Sequence, residues 1–191
     1  MPTANSKLPT DLKRCSWPGN DELYMDYHDN EWGKVTHDDK KLFEFLILES
    51  AQAGLSWITI LRRRDGYCKA FADFDVHKVA AFTDKDVERL MQDTGIIRNR
   101  LKILAAINNA KLFSGRQKEG VAVEKDLYSF MLDGKPIINH SNSIPASTPI
   151  SDAISKDMKK RGFKFFGTTI CYAHMQATGM VNAYIDGCSF K

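Results

Sequence analysis

A carboxylate within an apolar helical pattern is the group in this sequence best placed to do chemistry. Glu49 lies seven residues after Leu42 and four after Phe45, so a helix over this segment projects all three side chains along one stripe. A carboxylate at such a position loses water, and it then needs a partner or its pKa rises. The helical pattern breaks at Gly54 and Trp57 follows, so a carboxylate and an indole could together bind a flat polar molecule. A structural glutamate bonded to a neighbouring helix fits the same pattern, and the periodicity leaves both interpretations open.

The helix that carries Glu49 belongs to a chain in which nearly every segment has a helical pattern. Strand signals are sparse, because no alternating β-branched run exceeds a few residues. We therefore predict an all-α fold. The predicted helices lie near residues 39–53, 56–64, 66–72, 75–81, 84–92, 99–112, 123–132, 151–161 and 167–179. Residues 133–150 are rich in proline, serine and asparagine and are predicted to form a long surface loop.

Residues 87–104 have the pattern of two helices joined by a short turn at 93–97. Gly95 allows a positive φ in that turn and lets the backbone approach whatever lies outside. Amides at the start of the second helix would then point outward, which favours an anion. Arg98 and Arg100 follow directly, so the turn could hold a phosphate group. A plain αα-hairpin fits the same pattern.

The charge balance is mildly basic, with 27 basic and 24 acidic residues and a formal net charge of +3. That excess alone does not indicate nucleic-acid binding. The distribution is more informative, because basic clusters occur at residues 62–64, 98–102 and 156–164. Each cluster could contact phosphate, although solvated helix faces explain most runs of this kind.

The length and composition predict one globular domain rather than a secreted or membrane protein. Residues 1–13 are polar and contain no hydrophobic segment, so we expect a disordered extension, followed by a single helical domain at 14–191. No apolar run approaches the length of a membrane span, so we expect no membrane partner. The 4 cysteines show no framework typical of an oxidising compartment, and a cytoplasmic monomer without disulfides follows as the expectation.

Four ordered blocks of sequence give the chain a resemblance to a known family. The blocks are residues 23–33 (LYMDYHDNEWG), 48–59 with Leu48-Glu49 and AGLSWIT, 90–100 (LMQDTGIIRNR), and 159–172 with KKRGFKF and GTTICY. Together they resemble the constitutive 3-methyladenine DNA glycosylases of bacteria, over about residues 14–188. The resemblance implies a helix-hairpin-helix architecture in which residues 87–104 hold a phosphate of double-stranded DNA.

The resemblance also implies a structural zinc ion that ties the two ends of the domain together. The family holds this ion with Cys, His, His and Cys, and the first, second and fourth positions match Cys15, His28 and Cys188. The third position falls on Tyr184, which is a departure, since a neutral phenol is a poor zinc ligand. Three alternatives stay open: Tyr184 as phenolate, a water or another side chain such as His174 completing the shell, or no zinc.

The activity implied by the resemblance is a monofunctional N-glycosylase for 3-methyladenine. Glu49, Tyr27 and Trp57 fall on the family's base-binding positions, and Tyr24 and Trp17 are candidates for further walls of the pocket. An aromatic face attracts a cationic base, and the carboxylate would accept a hydrogen bond from its amino edge. Tyr24 and Tyr27 are also spaced to pack on one helix face, which is the structural alternative.

The helix break and a missing aspartate complete the implied mechanism. Gly54 and Leu55 lie at the break, where the family suggests a loop that approaches the gap left by the flipped base, with Leu55 as an apolar wedge. Residues 101–119 contain no aspartate, which agrees with this family and argues against a lyase. Two other functions were considered: a non-catalytic module that binds alkylated DNA, and a zinc hydrolase built on the cysteines and histidine.

Overall fold

The computed structural model describes residues 12–120, 122–140 and 142–191. Within them the fold is mostly helical, which confirms the predicted class. The predicted disordered extension lies almost wholly outside the described residues. The helices are α1 (Glu22–Asn30), α2 (Asp39–Gln52), α3 (Trp57–Leu61), α4 (Arg64–Ala70), α5 (Val76–Ala80), α6 (Asp84–Gln92), α7 (Arg100–Lys118), α8 (Val123–Tyr128), α9 (Pro149–Lys160) and α10 (Thr168–Ala177). Two short parallel strands, β1 (Ile137–Ile138) and β2 (Val181–Asn182), pair within the described part.

Helix α2 forms the centre of the core. Asp38 caps it by accepting from the Lys40 amide at 2.9 Å, and every residue from Leu42 to Ala51 is buried. Helices α3, α7 and α10 pack around it. A helix enclosed on all sides buries its polar positions along with its apolar ones, so Glu49 is dehydrated by the whole packing arrangement rather than by one stripe.

Helix α1 was absent from the predicted helices. Its composition is mostly polar, and it begins because Asp21 accepts from the Tyr24 amide at 3.0 Å. Its buried residues are Tyr27, His28 and Asp29. A single helix therefore supplies both an aromatic side chain beside Glu49 and the histidine of the predicted metal site.

The two-helix hairpin was predicted correctly, but the reason for its central glycine was wrong. Helices α6 and α7 are joined by a turn in which Gly95 lies outside the left-handed region of φ. Instead, the backbone of α4 packs directly on the turn, since a Cβ added to Gly66 would lie 2.3 Å from the Gly95 carbonyl oxygen. The glycines are needed for close approach of two backbone segments.

The two ends of the described chain meet, as the architecture predicted. The Ser189 amide donates to the Lys13 carbonyl oxygen at 2.8 Å, and the Lys13 amide donates to the Ser189 hydroxyl at 3.1 Å. Among the described residues, none of the helices combines the length and apolarity that crossing a bilayer requires.

Candidate functional site

A cavity of about 280 Å³ opens beside the C-terminal half of α2. Its walls come from four parts of the chain: α1 with the segments on either side of it, the α2–α3 region, the loop before α9, and α10. The lining residues are Trp17, Tyr24, Tyr27, Trp32, Glu49, Gln52, Trp57, Ile144, Ala173 and Gln176. The cavity is large enough to hold a purine-sized molecule, and half of its lining residues are aromatic.

Glu49 is the acidic group of this cavity. Its side chain is 3% exposed, and its Oε2 atom is buried without a hydrogen-bond partner in the described part of the chain. Burial raises the pKa of Glu49 to about 8, because the charged form is poorly solvated there. The structural alternative of a glutamate satisfied by a neighbouring helix leaves this oxygen unexplained, whereas a bound group that donates a hydrogen bond would satisfy it.

Two phenols stand close to that carboxylate. Burial and, to a lesser extent, the nearby charge of Glu49 together raise the pKa of Tyr24 to about 12. The pKa of Tyr27 is also raised well above its usual value, first by burial and then by Glu49. Both phenols therefore keep their protons at neutral pH and can act as hydrogen-bond donors within the cavity.

The aromatic walls contact one another and form a continuous surface. The rings of Tyr27 and Trp57 have centroids 5.4 Å apart at 46°, and those of Trp17 and Tyr24 lie 4.8 Å apart at 58°. The rings of Tyr27 and Trp57 are in contact, so the cavity lies beside this pair rather than between its members. The indole nitrogens of Trp17 and Trp57 are buried without partners in the described part, so each is a donor available to a bound molecule.

Five cavity residues were not among the predicted site residues. Trp32, which the motif contained, is 6% exposed and belongs to both the core and the wall. Gln52 lies one helical turn beyond Glu49, and that spacing could have identified it. Ala173 and Gln176 come from α10 and Ile144 from the loop between β1 and α9, and no local pattern links them to α2.

The predicted wedge lies in the turn after α2. Gly54 has φ +80°, and Leu55 is 40% exposed. The Lys102 ammonium, from the first turns of α7, donates to the carbonyl oxygens of Ala51 at 2.8 Å and Ala53 at 2.6 Å. The sequence grouped Lys102 with cations that could contact phosphate. In the structure it caps the C-terminus of α2 instead and connects this turn to the hairpin.

The amides of the hairpin turn do not all point outward, in contrast to what the sequence had suggested. The Gly95 amide donates to Asp93 Oδ1 at 2.8 Å, and the Ile97 amide donates to the Tyr67 hydroxyl at 3.2 Å. These two amides are therefore engaged within the protein. The exposed cations at the turn are Arg98 and Arg100, and Arg100 also pairs with Glu88 at 2.6 Å.

Ion pairs account for much of the other two basic clusters. Arg62 pairs with Asp21 at 2.5 Å, and Arg64 bonds Glu31 and Glu44 beneath the aromatic residues. Arg161 pairs with acidic residues of α8 and α9. The exposed cations of the third cluster include Lys159, Lys160 and Lys164.

Cys15, His28 and Cys188 lie together next to the aromatic cavity. One ligand atom from each lies within 4.8 Å of the others, and the Cys188 sulfur is 3.7 Å from His28 Nε2. His28 Nδ1 is 2.7 Å from a carboxylate oxygen of Asp29, which in turn pairs with Arg14 at 2.7 Å. The carboxylate holds the proton on Nδ1 and leaves Nε2 facing the thiols, an arrangement that suits a metal-binding histidine.

The Tyr184 hydroxyl donates to the backbone in this geometry. Its hydroxyl lies 2.7 Å from the His28 carbonyl oxygen and 2.5 Å from that of Trp32, so its proton is held by backbone acceptors. Burial raises the pKa of Tyr184, with the neighbouring cysteines adding to the shift, and a phenolate is disfavoured. Of the three alternatives for this position, the geometry therefore disfavours Tyr184 as a phenolate ligand.

His174 does not complete the cluster either. Its Nε2 lies 2.9 Å from the Leu42 carbonyl oxygen, which accepts the proton, and its ring contacts Phe166. Burial lowers the pKa of His174 to about 4, so it is neutral in the core. In the described residues the candidate metal cluster thus has three side-chain ligands, namely Cys15, His28 and Cys188.

Known proteins share both the sequence and the fold. Residues 17–191 match the model of the methyladenine glycosylase family. The chain is 51% identical over 180 residues to DNA-3-methyladenine glycosylase 1 of Escherichia coli (strain K12), covering 93% of this chain and 96% of that one. A crystal structure of 3-methyladenine DNA glycosylase I matches with a TM-score of 0.90 and 52% identity, over 93% of this chain and 98% of the other.

A third match concerns a structure solved to explain base recognition. It is described as the structural basis of 3-methyladenine recognition by 3-methyladenine DNA glycosylase I from Staphylococcus aureus, with a TM-score of 0.87 and 35% identity. The match covers 94% of this chain and 97% of that one. The family match at 17–191 includes every residue that lines the cavity.

Proposed function

The chain belongs to the methyladenine glycosylase family, and from this premise we propose that it is a monofunctional DNA N-glycosylase that excises 3-methyladenine from alkylated DNA. The observation that carries the proposal is the dehydrated carboxyl group of Glu49, whose Oε2 has no partner in the described chain and which faces an aromatic cavity of purine size. A neutral purine gains little from such a carboxylate, whereas a cationic purine gains charge pairing in a medium of low dielectric constant.

The chemistry of the substrate explains why the site needs little acid catalysis. Methylation at N3 gives adenine a positive charge, so the base leaves with the electron pair of the glycosidic bond and becomes neutral. Water adds its oxygen to C1′ of the deoxyribose and releases a proton. The protein must find the lesion, rotate it out of the duplex and hold it, and a weakly stacked damaged base costs less to extrude.

Glu49 would hold the base by accepting from its amino edge. Burial raises the pKa of Glu49 to about 8, so the group is mostly protonated at neutral pH. A bound cation favours the carboxylate, and binding is therefore coupled to loss of a proton. Tyr24 and Tyr27, which stay protonated beside it, would donate to the base or to the carboxylate.

The aromatic walls would bind the face of the base. A cation over an indole or phenol ring gains about 0.5–2 kcal/mol. Since the rings of Tyr27 and Trp57 already touch, we propose that the base lies against this pair rather than between its members. Trp17 and Tyr24 would then form the remaining walls.

The DNA would be held at two places, consistent with a helix-hairpin-helix protein. Gly95 permits the close packing that forms the turn, and Arg98 and Arg100 would contact phosphate there. The turn of Gly54 and Leu55 would enter the gap left by the flipped nucleotide, with Leu55 as the wedge.

We further propose that a structural zinc ion is held by Cys15, His28 and Cys188. The support is the cluster of three ligand atoms within 4.8 Å and the orientation of His28 by Asp29. Such an ion would join the segment before α1 to the segment after β2 and would take no part in base excision. Metal analysis of the purified protein tests this proposal, and a folded protein free of metal would contradict it.

The central experiment measures release of free base from methylated duplex DNA. We expect the purified protein alone to release 3-methyladenine and to leave an intact abasic site without strand cleavage. A protein that binds such DNA but releases no base would instead be the non-catalytic binding module. The zinc hydrolase gains no support from the geometry, because the cysteine and histidine side chains are buried and Glu49 lies in a separate cavity.

The remaining proposals concern organisation and location. We propose that residues 14–191 act as one domain and as a monomer, since a single cavity and one continuous core serve the reaction. We also propose a cytoplasmic location, because the relative in Escherichia coli is named for an activity on DNA.

A further inference from the structure

The loop between α9 and α10 carries one aromatic residue in a costly backbone conformation. Phe165 has φ +52°, which is uncommon for a bulky side chain and costs of the order of 1 kcal/mol or more. Its neighbour Phe166 and the preceding Phe163 are each 5% exposed, whereas Phe165 is 37% exposed. The loop thus buries two aromatic rings and turns the third one outward.

Side chains from three helices hold this loop in place. Asn109 of α7 bonds both the amide and the carbonyl oxygen of Lys164 at 2.8 Å, and Asn108 donates to the Gly162 carbonyl oxygen at 3.0 Å. Ser50 of α2 donates to the Phe165 carbonyl oxygen at 3.0 Å. Ser155 of α9 donates to the Phe166 carbonyl oxygen at 2.8 Å. The conformation that exposes Phe165 is therefore fixed by the fold rather than adopted by a loose loop.

The position of Phe165 relates it to the proposed DNA-binding surface. Ser50 belongs to the last turn of α2, so the Phe165 backbone lies at the same end of that helix as Leu55. Lys102 binds this end of α2 from α7, and its neighbours on that helix, Leu101 and Leu104, are 66% and 41% exposed. Leucines and a phenylalanine thus stand exposed around one helix end.

We propose that Phe165 is a second apolar contact to DNA, packing in the minor groove beside the nucleotides that Leu55 separates. This inference rests on the proposed function, since it assumes that Leu55 enters the duplex. Apolar side chains inserted at base steps are a known means of stabilising bent and unstacked DNA. Lys164 is exposed directly next to Phe165, and Arg98 is exposed at the hairpin, so cations are available for the flanking phosphates.

Substitution with glycine separates a DNA contact from a structural role. Glycine accepts a positive φ without strain, so Phe165→Gly removes the ring without disturbing the loop. The matched control is Leu132→Ala, which removes an 84% exposed side chain from a turn outside α2, α7 and this loop. Affinity is measured by fluorescence anisotropy on a duplex that contains a tetrahydrofuran abasic analogue, at one fixed salt concentration.

We expect Phe165→Gly to weaken duplex affinity at least tenfold. Affinity for free 3-methyladenine should stay within twofold of wild type, and the melting temperature should not fall. The proposal would be overturned if Phe165→Gly bound the duplex with an affinity within twofold of that of Leu132→Ala. It would also be overturned if Phe165→Gly lost affinity for the free base and melted at a lower temperature in parallel with its loss of duplex affinity. If the wild type binds the duplex with the abasic analogue but releases no base from methylated duplex DNA, the proposed excision fails while the test of Phe165 still gives an answer.

Discussion

At the scale of single residues, the site depends on a charge that water does not solvate. Glu49 is enclosed by the packing of α2, and its Oε2 lacks a partner in the described chain. The periodicity of the sequence predicted that the carboxylate would be dehydrated. It could not predict that Tyr24 and Tyr27 stand close enough to feel its charge, because α1 is defined by capping and aromatic packing rather than by an apolar stripe.

Replacing Glu49 with glutamine should lower excision with little change in the fold. Glu49→Gln removes the negative charge and keeps the size of the side chain, so the variant loses the charge pairing with the cationic base. We expect base release from methylated duplex DNA to fall roughly 10²-fold, the order found when one preorganised electrostatic contact is removed. Glu22→Gln, at an exposed site on α1, serves as the control. An unchanged rate would remove Glu49 from the site.

The same residue should make stability depend on pH. The pKa of Glu49 is about 8 in the folded protein and 4.5 in the unfolded chain. Between these two pH values the folded protein therefore holds a proton on Glu49 that the unfolded chain has lost. This contribution to stability is fully present below about pH 4.5, is lost as the pH rises to about 8, and reaches a few kcal/mol at most. As the pH rises from about 4.5 to about 8, the melting temperature of Glu49→Gln should therefore increase relative to that of wild type. Curves that stay parallel would contradict the assignment.

At the scale of elements, contacts between helices decide what the local pattern cannot. The positions of helices α2 to α10 and the hairpin were predicted, since they follow from periodicity and capping, whereas α1 was missed. The role of Lys102 was not, because a lysine near a helix start has the same local signature whether it faces phosphate or another helix. Ala173 and Gln176 were missed for the same reason: nothing within α10 specifies that it packs against α2.

Loss of the Lys102 ammonium should loosen the turn that carries Leu55. Lys102→Met keeps most of the length of the side chain but removes two charge-assisted hydrogen bonds, at a cost of about 1–3 kcal/mol in the free energy of unfolding. Base release from duplex DNA should fall, while affinity for the free base is retained. Lys111→Met, at an exposed site on the same helix, is the control. If Lys102→Met and Lys111→Met had the same stability and the same rate of base release, Lys102 would not hold this turn.

At the scale of the whole molecule, the structure joins its two ends through Tyr184, which the sequence placed at the expected third-ligand position. Tyr184 binds the His28 and Trp32 carbonyl oxygens and packs edge-on against both rings, with centroids 5.1 and 4.8 Å away. The sequence identified the position as unusual. It could not show that the hydroxyl would find backbone acceptors, because these lie more than 150 residues away along the chain.

Removing the Tyr184 hydroxyl should affect stability but not metal content. Tyr184→Phe leaves two buried carbonyl oxygens without this donor, and we expect a loss of about 1–3 kcal/mol in the free energy of unfolding. Metal per chain should equal that of wild type, since the phenol is not a ligand. Tyr128→Phe, which removes one longer bond of 3.4 Å, is the control. A metal content that falls with the hydroxyl would restore Tyr184 as a ligand.

The cavity is shared between α1, α2 and α10, and this has a consequence for how the protein is made. Helices α1 and α2 leave the ribosome more than 100 residues before α10 does. Because Ala173 and Gln176 of α10 supply one wall of the cavity, we expect Glu49 to be better hydrated until α10 docks on α2. The raised pKa of its carboxyl group would then be acquired late in folding, after most of the chain has been synthesised.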